Sequence, residues 1–129
     1  MSSDRVLRLA VIDDDDGARA GVARLLRCMG HHVHAFESAE AFEGAAVTVD
    51  CVIVDMRLPG VSGLELRERL RERGNTVPIV FITGDSAMKT RDTGRFGAAT
   101  TVVKPFDDDT LFAAIACAIW GSDGDGERA

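Results

Sequence analysis

The chain has 129 residues, 46% of them hydrophobic and 28% charged, the composition of one globular domain large enough to bury a core without staples. A net charge of -6 and an isoelectric point near 5.0 argue against nucleic-acid binding by the chain itself, because phosphate contacts need clustered Lys and Arg. No apolar run is long enough to span a membrane, Met1–Leu9 carries no secretory signal, and Cys28, Cys51 and Cys117 show neither paired nor metal-knuckle spacing, so a reducing cytoplasm is expected.

Leu7–Ile12 reads as a first strand, with four aspartates, Asp13 to Asp16, directly after it. Gly17–Met29 carries Ala18, Val22, Leu25, Leu26 and Met29 at helical spacing, which leaves Arg19, Arg24 and Arg27 for solvent. Asp16 is the expected N-cap and Gly30 the expected C-cap. His32–Phe36 is a second strand, and Ser38 caps a short helix through Ala45. The third strand, Val49–Val54, is a β-branched run that ends at Asp55 before the turn residues Pro59 and Gly60, a pattern typical of strands buried on both faces. Gly63–Arg73 is a charged helix with Leu64, Leu66 and Leu70 as its apolar side. Val77–Ile82 is a fourth strand that ends in Thr83-Gly84. A weaker helix follows from about Ser86 to Phe96, because Thr90, Thr93 and Gly94 are poor helix formers. Thr100–Val103 is a fifth strand ending in Lys104-Pro105-Phe106, and Asp107 caps a last helix to about Ile119. Residues 1–120 form the domain, and 121–129 read as a polar, glycine-rich, disordered tail.

Strand and helix thus alternate five times, which predicts an α/β fold: a doubly wound, five-stranded parallel sheet of flavodoxin-like order 2-1-3-4-5. That order makes strands 1 and 3 neighbours, so Asp13, Asp14 and Asp55 converge at the carboxyl edge, with Thr83 and Lys104 ending strands 4 and 5 on the same side. Three close carboxylates repel one another, and a hard divalent cation with oxygen ligands relieves that repulsion. Metal, carboxylate nucleophile, ammonium and hydroxyl are together the parts that hold a transferring phosphoryl group. Gly84 beside Thr83 leaves room for phosphoryl oxygens.

Val11-Ile12-Asp13-Asp14, Val54-Asp55, Leu58-Pro59-Gly60 with Gly63, Ile82-Thr83-Gly84 and Val103-Lys104-Pro105-Phe106 together resemble the motifs of response-regulator receiver domains, over about residues 6 to 119. The resemblance implies that Asp55 accepts a phosphoryl group from the phosphohistidine of a sensor kinase or phosphotransfer protein. It implies Mg²⁺ on Asp14 and Asp55, with Asp13 assisting through water and the backbone carbonyl of Arg57 as the remaining ligand. It also implies that Lys104 pairs with a phosphoryl oxygen, that Thr83 moves to bond another, and that the Lys104-Pro105 peptide is cis. The protein so implied is a cytoplasmic signalling switch, not a turnover enzyme, beyond its own phosphoryl transfer and slow autodephosphorylation. Two features depart from the family. Thr101 stands where an aromatic switch residue is usual, and the segment from Thr83 to Gly97 is slightly short. Phosphoryl chemistry should survive both, while coupling to an output surface should be weak or run through the fourth helix.

Other readings compete at particular residues. Asp14-Asp15-Asp16-Gly17 resembles the start of haloacid-dehalogenase-type phosphatases, which would make Asp14 the nucleophile, although Ala18 and the missing late acidic pair fit that class poorly. A flavin module on the same fold is disfavoured by the acidic loop after strand 1. Arg57 and Asp85 either pair across the site and hinder attacking water or stay solvated. His31, His32 and His34 read as ordinary edge-strand residues and not as metal ligands. The surplus of small residues in the last helix suits a homodimer through the fourth helix, fifth strand and fifth helix, or simply reflects alanine's helix propensity. With no output domain in this sequence, a stand-alone regulator is the simplest expectation, and a receiver joined through the polar tail to a longer regulator is the other.

Overall fold

The structure, a computed structural model, describes residues 6–84 and 100–120. The elements run β1 (Arg8–Ile12), α1 (Asp16–Cys28), β2 (His32–Phe36), α2 (Ala39–Ala45), β3 (Cys51–Asp55), α3 (Gly63–Glu72), β4 (Ile79–Thr83), β5 (Thr101–Val103) and α4 (Asp108–Trp120). The helix expected over 86–96 and the tail from 121 lie outside the described residues. All strand pairs are parallel, in the expected order β2-β1-β3-β4-β5.

β3 is central and apolar on both sides, with Cys51, Val52, Ile53 and Val54 fully buried. Its alternating side chains feed two cores. Ile53 joins Leu9, Val11, Leu26, Val80 and Leu111 under α1 and α4. Val52 and Val54 join Ile12, Phe42, Leu66 and Phe81 under α2 and α3. This two-sided burial is the physical content of the apolar run before Asp55.

Several boundaries differ from the sequence reading. The N-cap of α1 is Asp15, not Asp16: Asp15 has extended backbone, and its carboxylate accepts the Ala18 N–H. Asp16 already sits in the first turn. Gly30 does end α1, just past the cap, at φ 93. Its N–H reaches the Arg27 carbonyl while the His31 N–H reaches that of Leu26, the paired closure that favours glycine there. β4 starts at Ile79, since Pro78 has no N–H to give a ladder and the Val77 N–H is taken by the Asn75 side chain. Ser62 caps α3 through a reciprocal box with Glu65.

Candidate phosphoryl-transfer site

Backbone ties beyond the strands align the carboxyl edge. The Asp13 N–H donates to the Phe36 carbonyl at 3.1 Å, Met56 N–H to that of Ile82 at 2.8 Å, and Lys104 N–H to that of Thr83 at 2.7 Å. These carry the ladder one residue past β1, β3 and β5, so Asp13, Asp55, Thr83 and Lys104 stand together at the carboxyl edge. α3 enters closely behind: a Cβ on Gly63 would lie 2.8 Å from the Asp55 carbonyl oxygen, so only glycine leaves that backbone undisturbed.

Asp13, Asp14 and Asp55 offer carboxylate oxygens that all lie within 4.8 Å of one another. Asp13 is buried, Asp55 half-buried and Asp14 exposed. The Lys104 Nζ lies 3.3 Å from Asp55 Oδ2 and 3.8 Å from Asp13 Oδ2. Thr83 is buried at the end of β4, one strand from Asp55. The Arg57 N–H donates to Asp55 Oδ1 at 2.9 Å, which fixes that carboxylate over the loop after β3. The Lys104-Pro105 peptide is cis. Among the described residues, a Cβ on Gly84 would meet nothing within 4 Å.

The electrostatics follow from crowding. Burial raises the Asp13 carboxyl above its ordinary value, partly offset by the N–H of Asp15, with Asp55 pushing it further up. For Lys104, burial pushes the ammonium down, but Asp55 and Asp13 outweigh it and hold the group above its ordinary value. One ammonium thus faces two carboxylates, with a third beside them. Hard oxygen donors at this spacing, still short of positive charge, fit a small divalent cation.

The sequence reading missed Arg19. Placed among solvent-facing residues, its guanidinium instead folds back to the acidic loop, donating to the Asp13 carbonyl at 2.8 Å and to Asp16 Oδ1 at 2.6 Å. The clue was its place one turn into the helix that follows the aspartates. The same contact weakens the phosphatase reading, because Asp16 is held on α1 by Arg19 and stands outside the acidic cluster. Asp85 lies outside the described residues, so its pairing with Arg57 is not described. The histidines form no acidic or metal cluster among the described residues; His31 Nδ1 accepts the Leu7 N–H at 3.1 Å.

Thr101 occupies the departure position on β5, beside Phe81. It is buried, and its hydroxyl has no hydrogen-bond partner among the described residues.

Comparison with known proteins agrees with this geometry. The family model described as the response regulator receiver domain matches residues 9–116. The transcriptional regulatory protein FixJ of Azorhizobium caulinodans is 38% identical over 95% of this chain and 59% of its own length. The response regulator protein TodT of Pseudomonas putida is 34% identical over 91% of this chain and 53% of its own. Full-length FixJ from B. japonicum superposes with a TM-score of 0.79 at 35% identity, covering 88% of this chain and 58% of that one. The chain therefore spans little more than half the length of the curated relatives it matches. The competing phosphatase assignment falls away with these matches: the chain belongs to the receiver domains of two-component response regulators, phospho-accepting signalling modules.

Proposed function

We propose that Asp55 is the phosphoryl acceptor of this receiver and that its donor is the phosphohistidine of a sensor kinase or phosphotransfer protein. The observation that carries the reading is the convergence of Asp13, Asp14 and Asp55 within 4.8 Å, with Lys104 at 3.3 Å from Asp55. Asp13, Asp14 and Asp55, with the Arg57 carbonyl, would hold Mg²⁺, which when bound supplies charge neutralisation for the incoming phosphoryl group. The residues of the chain do the rest. A carboxylate oxygen of Asp55 attacks phosphorus, the P–N bond to the imidazole breaks, and an aspartyl phosphate forms while the donor histidine keeps the electron pair. Lys104 exchanges its carboxylate partner for a phosphoryl oxygen, and the Thr83 hydroxyl donates to another.

Beside the site a groove of about 660 Å³ runs between α1 and the loop before α4, with Val22, Leu25 and Phe106 along it and Asp13 and Lys104 at one end. An apolar groove leading to the acceptor suits the helix of a donor protein. Such a module acts in the cytoplasm, catalysing its own phosphorylation and losing the group slowly.

The test is intact mass after incubation with Mg²⁺ and a small acyl phosphate, for wild type, Asp55→Asn and Asp14→Asn. One phosphoryl adduct is expected in wild type, absent in Asp55→Asn and absent without Mg²⁺. An adduct that persists in Asp55→Asn would overturn the assignment of the acceptor.

A further inference from the structure

We propose that Arg19 is a positioning residue for the divalent-cation site: it pins the acidic loop after β1 so that Asp13 and Asp14 face Asp55. The inference rests on the reading of those three aspartates as a Mg²⁺ site.

Beyond β1 the chain leaves the sheet, and no strand among the described residues pairs with the Asp13 carbonyl. The Arg19 Nη1 takes it at 2.8 Å. That carbonyl belongs to the peptide joining Asp13 to Asp14, so the bond sets the plane from which the Asp14 side chain departs. On the other side of the same turn, the Asp15 N–H donates to Asp13 Oδ1 at 2.9 Å, and Asp15 Oδ2 accepts the Ala18 N–H at 2.7 Å. The Nη2 of Arg19 closes the arrangement on Asp16 Oδ1 at 2.6 Å. The Arg19 side chain is 20% exposed, whereas that of Asp16 is 89% exposed. An exposed pair three residues apart on a helix contributes little by itself. The planar fork matters because it joins the helix to a backbone carbonyl of the loop, with two donors of fixed relative direction.

Charge and geometry make opposite forecasts, which gives the inference its test. A cation beside an acidic site repels Mg²⁺, so on electrostatics alone the loss of Arg19 tightens Mg²⁺ binding. If Arg19 holds the loop in place, its loss weakens binding despite the removed positive charge.

Mg²⁺ alone is titrated into the protein and followed by backbone amide NMR, for wild type, Arg19→Leu, Arg19→Lys and Asp16→Asn. Urea unfolding in EDTA is measured on each. We expect Arg19→Leu to raise the Mg²⁺ Kd about tenfold, the low end of what outer partners of metal ligands contribute. Arg19→Lys keeps the charge but reaches only one acceptor, so it should weaken binding by less. Asp16→Asn loosens only the outer arm of the fork and should move the Kd in the same direction by the smallest amount. Should Arg19→Leu fail to fold in EDTA, Arg19→Lys decides the question, because it keeps the charge and changes only the reach. Unchanged or tighter Mg²⁺ binding in the folded variants would overturn the role of Arg19. Absence of Mg²⁺ binding by wild type itself would instead overturn the cation-site reading beneath it.

Discussion

Asp55→Asn should make the metal-free protein more stable, although it removes the proposed acceptor. Asn keeps the shape and can still accept the Arg57 N–H that Asp55 holds at 2.9 Å. What changes is charge. The variant loses repulsion from two carboxylates within 4.8 Å and attraction to the Lys104 ammonium at 3.3 Å. Coulomb's law gives each repulsion about 0.9 kcal/mol in bulk water and about 3.5 kcal/mol at an effective dielectric of 20, against about 1.3 and about 5 kcal/mol for the attraction. Two repulsions outweigh one attraction at either limit, by about 0.5 to about 2 kcal/mol. Asp14 is exposed and the Lys104 side chain is 37% exposed, so solvent screens these pairs and places the expected gain near the lower end, about 0.5–1 kcal/mol. Urea unfolding in EDTA at neutral pH and moderate salt reads this directly, since slopes of about 1–3 kcal/mol per M turn it into a midpoint rise of a few tenths molar. In saturating Mg²⁺ the order should reverse, because wild type gains binding free energy that the variant largely lacks. A metal-free Asp55→Asn protein less stable than wild type would refute the reasoning and show that the Lys104 pair dominates.

Four further outcomes are expected. Thr101→Val, which replaces a buried hydroxyl without a partner among the described residues, should raise stability by about 1 kcal/mol in urea titration; a loss would show that the hydroxyl is bonded. Burial pushes the Cys51 thiol up to about 12, so a thiol reagent at pH 8 should label exposed Cys28 and leave Cys51 untouched until urea is added, as peptide mass mapping would read. Burial lowers the His31 pKa, and its Nδ1 accepts the Leu7 N–H, so the folded state favours the neutral ring. The unfolded chain then binds more protons below the ordinary value of 6.5, and stability should fall as pH drops from there; the urea midpoint of His31→Gln should fall less steeply over the same range. The Glu43 carboxylate, 7% exposed, holds Arg69 at 2.9 Å and Arg73 at 3.1 Å and so ties α2 to α3. Glu43→Ala should lower the urea midpoint with the slope unchanged, and an unchanged midpoint would show that the tie contributes nothing.

The sheet order and the meeting of Asp13, Asp14, Asp55, Thr83 and Lys104 at one edge were legible in the sequence because the information is local. β3 and β4 are apolar, β-branched runs ending in Val54-Asp55 and Ile82-Thr83, and right-handed crossovers leave little choice of order. Cap positions were less legible. Four consecutive aspartates offer four candidate caps, and the choice of Asp15 depends on where β1 hands the chain to α1.

By itself, then, the sequence determined the described strands and helices, their order, and which carboxylates, hydroxyl and ammonium meet at the carboxyl edge. Those follow from periodicity and residue type, which neighbouring residues suffice to set. Only the tertiary structure decided that Arg19 turns back to the Asp13 carbonyl instead of facing water, that Lys104 shares itself between Asp55 and Asp13, and that Thr101 is buried with no bond to its hydroxyl among the described residues. Each depends on how the ends of separate strands and helices meet in space. A long side chain such as arginine can satisfy the helical pattern equally well pointing either way, and the Asp13 carbonyl, beyond the β1 ladder, gives it an acceptor on the loop side.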